Sequence, residues 1–449
     1  MSNTALDNGK NIFKSSRHSI SCANTGKQDM LRVFVSDMRD AVWLFVDYLW
    51  ETRIEWNTVD KKTNRTVRHV FDVKNNEFDA PNFISTTEFS FNGLSARAIK
   101  RAASQALGIV SSATKQRKSQ LYRLSEKMRA GDSPSSYKRL QSKIDSAPLS
   151  KPSRNTTTFD INLDSNCCEY IPNTETTHNI THFDGILVLT SLGKKYGKIV
   201  IPINETKHSN KLKSRDFIRK TTWLINTKEI KSVWSKTVKP TKGTIILGGD
   251  QGLTTCLTLS DRQITPPNKH GYDLKNIIDI LCRKKQGSKA YKATQEHRKN
   301  YINWSIKQLN LENVAELRLE ELRNVRRGKT SSALLAHWTY TEINNQVFNL
   351  CAERGVSVTE QGSQYRSQRC NCCGWVQKSN RCRKEFICKS CGHTEDSDIN
   401  GAMNHAVDLY PLPFNFWRMN LNRKGFFWTS EGIFDSYGSE ITVPIYQNV

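Results

Sequence analysis

Arg369-Cys370-Asn371-Cys372-Cys373-Gly374-Trp375 and, after a basic segment, Phe386-Ile387-Cys388-Lys389-Ser390-Cys391-Gly392-His393-Thr394-Glu395-Asp396-Ser397-Asp398-Ile399-Asn400-Gly401-Ala402-Met403-Asn404 form the stretch from which the chain is read outward. Cys370 and Cys373 make one Cys-x-x-Cys knuckle and Cys388 and Cys391 a second. Each is followed by a glycine, Gly374 or Gly392, that lets backbone amides turn toward the sulfurs. Four thiolates on two knuckles are the ligand set of a tetrahedral structural zinc ion, Zn2+. Buried structural thiols are the bland alternative, and the paired spacing argues against it. Cys372 and Cys382 lie in the same segment, and their part in metal binding stays open. Further on, Asp398 precedes Asn400-Gly401-Ala402, where small residues let a helix start pack beneath an acidic side chain; Asp396 competes with it for that role.

That carboxylate needs partners. Upstream, Thr244-Ile245-Ile246-Leu247-Gly248-Gly249-Asp250-Gln251-Gly252 is an apolar strand ending in an aspartate flanked by glycines, and Thr254 to Leu259 returns as a hairpin partner. An isolated Asp at a strand end is usually a turn former or a cap. A second strand, Val314 to Leu322, carries Glu320 at its end, and apolar–polar alternation prefers it over Glu321. Ser331 to Arg354 reads as an amphipathic helix with Gly355 as its C-cap, and Val356 to Val358 as a strand. The order predicts a mixed sheet at whose end Asp250, Glu320 and Asp398 meet, an α/β arrangement of the RNase H-like kind. Carboxylates are the hard ligands that Mg2+ or Mn2+ prefers. Two such ions can orient a water and stabilise the leaving oxygen of a phosphodiester.

Composition bounds the partner. The 449 residues carry 67 Lys+Arg against 43 Asp+Glu, a net charge of +24, which points to a polyanion, nucleic acid first. The longest apolar run, Val42 to Trp50, is interrupted by Asp47, so no membrane partner is expected, and neither is a signal peptide. Half of the 12 cysteines fall between Cys370 and Cys391, which suits metal binding in a reducing cytosol better than a disulfide framework.

In the N-terminal half, Met1 to Ser15 is polar and expected to be mobile. Gln28 to Trp56 carries Leu31, Phe34, Met38, Val42, Phe45 and Leu49 at helical spacing, an ordinary core-facing helix. A second helical tract, Leu94 to about Arg129, is strongly basic through Lys100, Arg101, Lys115, Arg117, Lys118 and Arg123, and Gly131-Asp132-Ser133-Pro134 breaks it. Charge runs are commonly solvated faces, but the scarcity of interspersed acids here favours a phosphate-facing surface. Phe159 to Leu163, Phe183 to Leu189 and Lys198 to Ile203 read as strands of a small antiparallel barrel or sheet, and Lys207 to Lys220 is again basic. In the C-terminal half, Asp273 to Leu309 is mainly helical and offers Arg283, Lys284, Lys285, Arg298 and Lys299 as further nucleic-acid contacts. The loop Arg323 to Lys329 adds Arg326 and Arg327.

Gly248-Gly249-Asp250-Gln251-Gly252, Leu319-Glu320-Glu321-Leu322, Tyr365-Arg366-Ser367-Gln368-Arg369-Cys370 with its knuckle, and Cys388-Lys389-Ser390-Cys391-Gly392 leading to Asp398-Ile399-Asn400-Gly401-Ala402-Met403-Asn404 resemble the split RuvC motifs and zinc ribbon of the TnpB family and the compact type V CRISPR effectors related to it. The resemblance is close over the C-terminal half and one of layout before it. It implies a multidomain α/β plus α+β protein, an RNA-guided DNA endonuclease that cuts at a single RuvC-like two-metal site beside a short target-adjacent motif. The acids Asp250, Glu320 and Asp398 would be both catalytic and Mg2+ ligands, with Cys370, Cys373, Cys388 and Cys391 on zinc. The implied layout is a flexible N-terminus over 1–27, a helical recognition module over 28–150 inserted in a wedge-like β-barrel module over 151–240, a RuvC-like domain over 241–368 and 394–410 with the zinc ribbon inserted over 369–393, and a tail over 411–449. Guide RNA and target DNA, double- and single-stranded, would be the partners of one or two copies in a prokaryotic cytosol. Gln251, Gly401 where Ala is usual, Cys372, Cys382 and the aromatic tail (Phe414, Phe416, Trp417, Phe426, Phe427, Trp428) depart from the commoner pattern, and the tail aromatics are expected to be packing residues. An RNA-guided DNA-binding protein that represses or assists transposition without cutting is the alternative; the intact acids argue against it.

Overall fold

Leu31, Phe34, Met38, Val42, Phe45 and Leu49 form the buried face of one long helix, α1 (Thr25–Glu51), in the computed structural model of the chain. The structure describes residues 9–51, 55–60, 65–70, 91, 93–129, 134–146, 151–154, 159–173, 182–322, 337, 339–413 and 416–441. They fall into two compact units, residues 13–236 and residues 237–447 together with 1–12. In the first unit, α1 packs against α2 (Ala96–Arg129), whose Ala98, Ala102 and Ala106 recur every fourth residue and are fully buried. Side chains this small let two helix axes come close along that stripe. The helix expected to reach Trp56 ends at Glu51, and a hairpin follows, β2 (Glu55–Asp60) and β3 (Arg65–Val70). A short helix, α3 (Pro134–Ser146), comes after α2.

Two sheets complete this unit. The first has the order β1-β9-β8-β4, from Lys10–Ser19, Glu229–Val238, Ile218–Ile225 and Ile161–Leu163. The second is an antiparallel β5-β6-β7, from Cys168–Pro172, Gly185–Leu189 and Ile199–Ile203. Ile161, Leu163, Leu187, Leu189, Ile199, Ile201, Trp223 and Ile225 from both sheets share one core with α1 and α2. Residues 10–19, expected as part of a flexible lead, are instead the ordered strand β1. Its inward positions explain why: Ser16 and His18 are buried but polar, and hydrophobic alternation does not reveal them. His18 is held between Ser232 Oγ at 2.8 Å and the Asn204 carbonyl at 3.0 Å. The basic connection after β7 contains α4 (Lys207–Lys213), capped by Thr206. Arg219, on β8 near the end of that basic stretch, stacks 4.3 Å from the Tyr170 ring and 4.5 Å from Trp234 while pairing with Glu205.

The second unit is built on a sheet of order β11-β10-β12-β13, comprising Thr258–Leu259, Ile245–Asp250, Val314–Glu321 and Ser357–Gly362. The last three strands are parallel, and β11 returns antiparallel to β10. Strand alternation gives the sheet two faces. Leu247, Leu317 and Leu319 point to a core shared with Ile277 of α5 (Leu274–Cys282), Ile302 of α6 (Lys289–Ile306), and Ile343 and Val347 of α7 (Tyr340–Arg354). Gly355 ends α7 at φ +73°, the left-handed cap expected of it. Gly248 points to the other face, where α8 (Ser397–Ala406) lies so close that a Cβ on Gly248 would overlap the Ala402 carbonyl oxygen. Between β13 and α8 the ribbon forms β14 (Trp375–Val376) and a small sheet of β15 (Arg381–Cys382), β16 (Glu385–Ile387) and β17 (Thr394–Asp396). The tail returns as β18 (Phe426–Trp428) and β19 (Ile433–Phe434) beside β14, and Phe416, Phe426 and Trp428 are buried with Tyr365 and Val376. Phe414 and the Trp417 side chain lie outside the described residues. Among the described residues no helix is long and apolar enough to cross a membrane.

Because backbone rather than a yielding side chain meets Gly248, Gly248→Val is expected to destabilise this unit by about 3 kcal/mol or more, as overpacking against rigid atoms does. Gly362→Ala, with nothing within 4 Å of the added Cβ, should stay within about 0.5 kcal/mol. Urea denaturation of both variants checks the contrast.

Candidate functional site

Two ligand sets meet on α8. In the ribbon, Gly374 at φ +81° and Gly392 at φ +73° turn the two knuckles back on themselves, and their amides donate to the Cys370 and Cys388 carbonyls at 3.0 Å each. The turn brings the Sγ atoms of Cys370, Cys373, Cys388 and Cys391 within 4.8 Å of one another, with Cys370–Cys391 at 3.7 Å and Cys373–Cys388 at 3.6 Å. A tetrahedron of sulfurs about 2.3 Å from a zinc ion has edges of about 3.8 Å, so the four thiols fit that ion. Cys372 and Cys382 are exposed and stand outside the cluster. The thiols differ in readiness to ionise. Backbone hydrogen bonding at His393 pulls Cys391 down to about 7, whereas burial pushes Cys370 up to about 11 and Cys373 higher still. A bound cation would overcome that burial cost, since a coordinated thiol is deprotonated outright.

The knuckles are fastened to α8 by two asparagines one turn apart. Asn400 accepts from the Asn371 amide at 3.0 Å and donates to the Arg369 carbonyl at 2.9 Å. Asn404 donates to the Arg366 and Arg369 carbonyls at 3.0 and 2.7 Å and accepts from Arg369 Nη1 at 2.5 Å. The buried Arg369 guanidinium also donates to the Trp428 carbonyl at 2.7 Å, and the Cys370 and Cys373 sulfurs bear on its charge. A zinc tetrathiolate carries net negative charge, so a buried guanidinium is an apt neighbour. Sequence reading assigned these asparagines and arginines no role. The signal that could have found them is a pair of Asn at i, i+4 inside a helix, where Asn is a poor helix former unless its side chain is employed.

The carboxylates gather at the other side of α8. Asp250 at the end of β10 and Glu320 on β12 are hydrogen-bonded to each other, and Asp398 enters from the first turn of α8. Burial, then Glu320 and Asp398, push the Asp250 carboxyl well up, and Arg381 opposes them only in part. Burial likewise raises Glu320, offset by Asp250, Arg381 and the Ser363 hydroxyl. Such a cluster of like charges favours a cation. All-oxygen donors suit Mg2+ or Mn2+, so the residues fit the ion the motifs imply. Asp398 is meanwhile paired with Lys384 Nζ and, at 3.5 Å, with Arg381 Nη2, both from the ribbon. Among the described residues only the four sulfurs form a group of three or more ligand atoms within 4.8 Å; the acids are less tightly drawn together. Asp396 accepts from the Asp398 and Ile399 amides at 2.8 and 3.2 Å as the N-cap of α8, a structural use that accounts for the second acid. Gly401 lies under Asp250, where a Cβ would stand 3.1 Å from Oδ2. His405 is pushed down to about 3 by burial and then by Arg366, so its ring stays neutral.

The cations anticipated as nucleic-acid contacts divide. Lys100, Arg123, Lys299 and the Arg283-Lys284-Lys285 run between α5 and α6 are exposed. Arg298 is not: it is buried, with Nη1 donating to the His337 carbonyl at 2.5 Å, because its helical position faces the core. Arg101 is half-buried and pairs with Asp164 at 3.1 Å. Arg326, Arg327 and the side chains of Lys115, Arg117 and Lys118 lie outside the described residues.

Residues 340–405, which span α7, β13, the ribbon and α8, match the family model described as Cas12f1-like, TNB domain. The chain is 30% identical over 118 residues to the CRISPR-associated endodeoxyribonuclease Cas12f1 of Sulfoacidibacillus thermotolerans, covering 26% of this chain and 27% of that protein. It is 28% identical over 126 residues to the protein of the same name from Syntrophomonas palmitatica, covering 28% of this chain and 25% of that one. The matches thus span about a quarter of the length of these curated relatives. Across nearly the whole chain, the fold is similar to that of the mini-RNA-guided endonuclease CRISPR-Cas_phi3, with a TM-score of 0.52 at 9% identity, covering 90% of this chain and 93% of that one. The likeness to compact type V effectors read from the motifs therefore holds in family model, sequence and fold.

Purified protein is expected to carry one zinc per chain by elemental analysis. The double variant Cys388→Ser, Cys391→Ser should lose it, whereas Cys372→Ser and Cys382→Ser should retain it. Chelation should also lower the thermal midpoint, because metal binding and folding of a ribbon are one equilibrium.

Proposed function

We propose that this chain is an RNA-guided DNA endonuclease with an RNase H-like, RuvC-type site formed by Asp250, Glu320 and Asp398. The observation that carries the reading is their convergence, from two parallel strand ends and a helix N-terminus, into one cluster in which burial, and then Glu320 and Asp398, raise Asp250. The three acids would hold Mg2+ or Mn2+, which when bound activates a water and stabilises the leaving oxygen of a phosphodiester. The chain's own residues prepare the place. The Asp396 cap fixes the start of α8 and with it Asp398. Ser363 donates to Glu320 and orients it. Arg381, beside Asp398, presents a guanidinium suited to a non-bridging phosphate oxygen. Lys384 pairs with Asp398 and must release it when the acid takes a metal.

The remaining parts follow the same reading. The two sheets of residues 13–236 act as the wedge-like barrel, with α1, α2 and α3 as its helical recognition insertion. Guide RNA and target DNA are the partners on this reading, which the names of the similar proteins support, one an RNA-guided endonuclease and two endodeoxyribonucleases. Exposed Lys100, Arg123, Arg283, Lys284, Lys285 and Lys299 meet phosphates, while sequence is read by base pairing between guide and target.

Replacing Asp250 separates cutting from binding. Asp250→Ala should bind guide RNA and matched DNA within about twofold of the wild type and lose cleavage by a factor of about 10³ or more, as loss of an acid that would hold the metal should. Wild-type cleavage should require a guide and a divalent ion. Binding without cleavage under those conditions would support the non-cutting alternative, and cutting by Asp250→Ala would place the site elsewhere. Separately, the triple variant Arg283→Gln, Lys284→Gln, Lys285→Gln should flatten the slope of log affinity against log salt for RNA by about one unit for each phosphate no longer neutralised. An unchanged slope would remove this loop from the RNA surface.

A further inference from the structure

The parallel register places a third polar side chain in line with the two strand acids. Gly249 stands opposite Leu319, which sets Asp250 beside Glu320, and Glu320 in turn stands opposite Gln361 on β13. Directly paired residues of a parallel sheet project to the same face, so Asp250, Glu320 and Gln361 form a row across the ends of three strands. The row one pleat earlier, Gly248, Arg318 and Thr359, identifies that face. Gly248 abuts α8, Arg318 Nη1 donates to the Ala406 carbonyl at 3.2 Å, and Thr359 donates to Glu316 Oε1 at 2.7 Å. Gln361 therefore faces the carboxylate side, whereas its neighbour Glu360 accepts from Asn344 of α7 on the opposite face.

The Gln361 side-chain oxygen is buried and has no hydrogen-bond partner. An acceptor without a donor is costly in any buried setting, and more so beside the Glu320 carboxylate, itself an acceptor. A donor standing between them removes the conflict. Hard divalent ions keep several waters, and those waters donate strongly.

We propose that Gln361 is a positioning residue of the carboxylate site, its side-chain oxygen accepting a hydrogen bond from a water in the shell of the divalent ion that Asp250 and Glu320 hold. The inference rests on the nuclease reading above. Outer-shell partners of this kind align the ligated waters and raise affinity for the ion without touching it, and their loss commonly costs tenfold to a hundredfold in metal affinity. Gln361 touches neither scissile bond nor ion, so it acts through the water.

The test measures Mn2+ binding to the zinc-loaded, RNA-free full-length chain by the electron paramagnetic resonance signal of free Mn2+, alongside the Mg2+ concentration giving half-maximal cleavage of guide-matched DNA. Gln361→Leu should weaken Mn2+ binding by about tenfold and raise the half-maximal Mg2+ concentration in parallel, with zinc content and guide-RNA affinity unchanged. Gln361→Glu keeps an acceptor at the same place and should bind Mn2+ at least as tightly as the wild type, which guards against a merely misfolded leucine variant. Wild-type Mn2+ affinity in Gln361→Leu, or weakened binding in Gln361→Glu, overturns the inference. Asp250→Ala in the same assay separates the two claims: if it loses Mn2+ and Gln361→Leu does not, only the role of Gln361 fails. If Asp250→Ala binds Mn2+ like the wild type, the nuclease reading falls and this inference with it.

Discussion

The C-terminal unit depends on how closely α8 is pressed to the β10 end of its sheet. From below, Gly248 offers no side chain, so the helix backbone rests directly on the strand, and Gly401 leaves the Asp250 carboxylate room above. From the other side, Asn400 and Asn404 grip the backbone of Arg366, Arg369 and Asn371, leading into the first cysteine knuckle, through four hydrogen bonds of 2.7 to 3.0 Å. A helix held on both sides by backbone contacts cannot slide by a fraction of an ångström without losing several bonds at once. Asp398 is therefore placed by the same contacts that place the ribbon. The cysteine ribbon and the carboxylate site are mechanically one piece, although no residue is shared between the four thiols and the three acids.

Charge compensation is the second constraint. Acids crowded at a strand end are stable only if cations or protons attend them, and the ribbon hairpin delivers Arg381 and Lys384 for Asp398. On the far side of α8 the balance reverses. Arg366 and Arg369 are buried, with backbone carbonyls and asparagine oxygens as acceptors, and burial lowers both of their pKa values, Arg366 to about 10. Those guanidiniums remain charged at neutral pH and face the thiolates and the helix C-terminal carbonyls, where positive charge is favoured. One ten-residue helix thus separates a negative cluster at its start from a positive one along its later turns.

Basic residues in this chain serve two different ends, and counting them does not distinguish the two. Arg219 stacks between Tyr170 and Trp234 with Glu205 as its counter-ion, Arg101 pairs with Asp164, and Arg298 turns inward to the His337 carbonyl. These cations stabilise their own unit. Those left exposed, the Arg283-Lys284-Lys285 run above all, are available to phosphate. The net charge of +24 thus overstates the binding surface by the cations used internally.

Local patterns in the sequence were enough for the features that depend on neighbours in the chain. The two knuckles and their glycines, the apolar face of α1, the Gly355 cap and the strands ending at Asp250 and Glu320 all follow from spacings of two to four residues, because turns, helices and strands are set by local geometry. The strand β1 escaped because its buried positions are polar, and polar burial is settled only by a distant partner such as Ser232 or Asn204. Arg298 was misread for the same reason: a cation's use depends on which helix face meets the core. Sequence alone determined which residues could be ligands and in what order the elements run. Tertiary structure decided the rest: which of two adjacent acids caps the helix and which faces the cluster, that Asn400 and Asn404 bind the ribbon to α8, and that Gln361 stands in line with Glu320. The Asp396 cap is itself local, but the facing of Asp398 toward the cluster, the grip of the two asparagines and the place of Gln361 depend on strand register and helix docking between residues tens to more than a hundred positions apart, which no local pattern encodes.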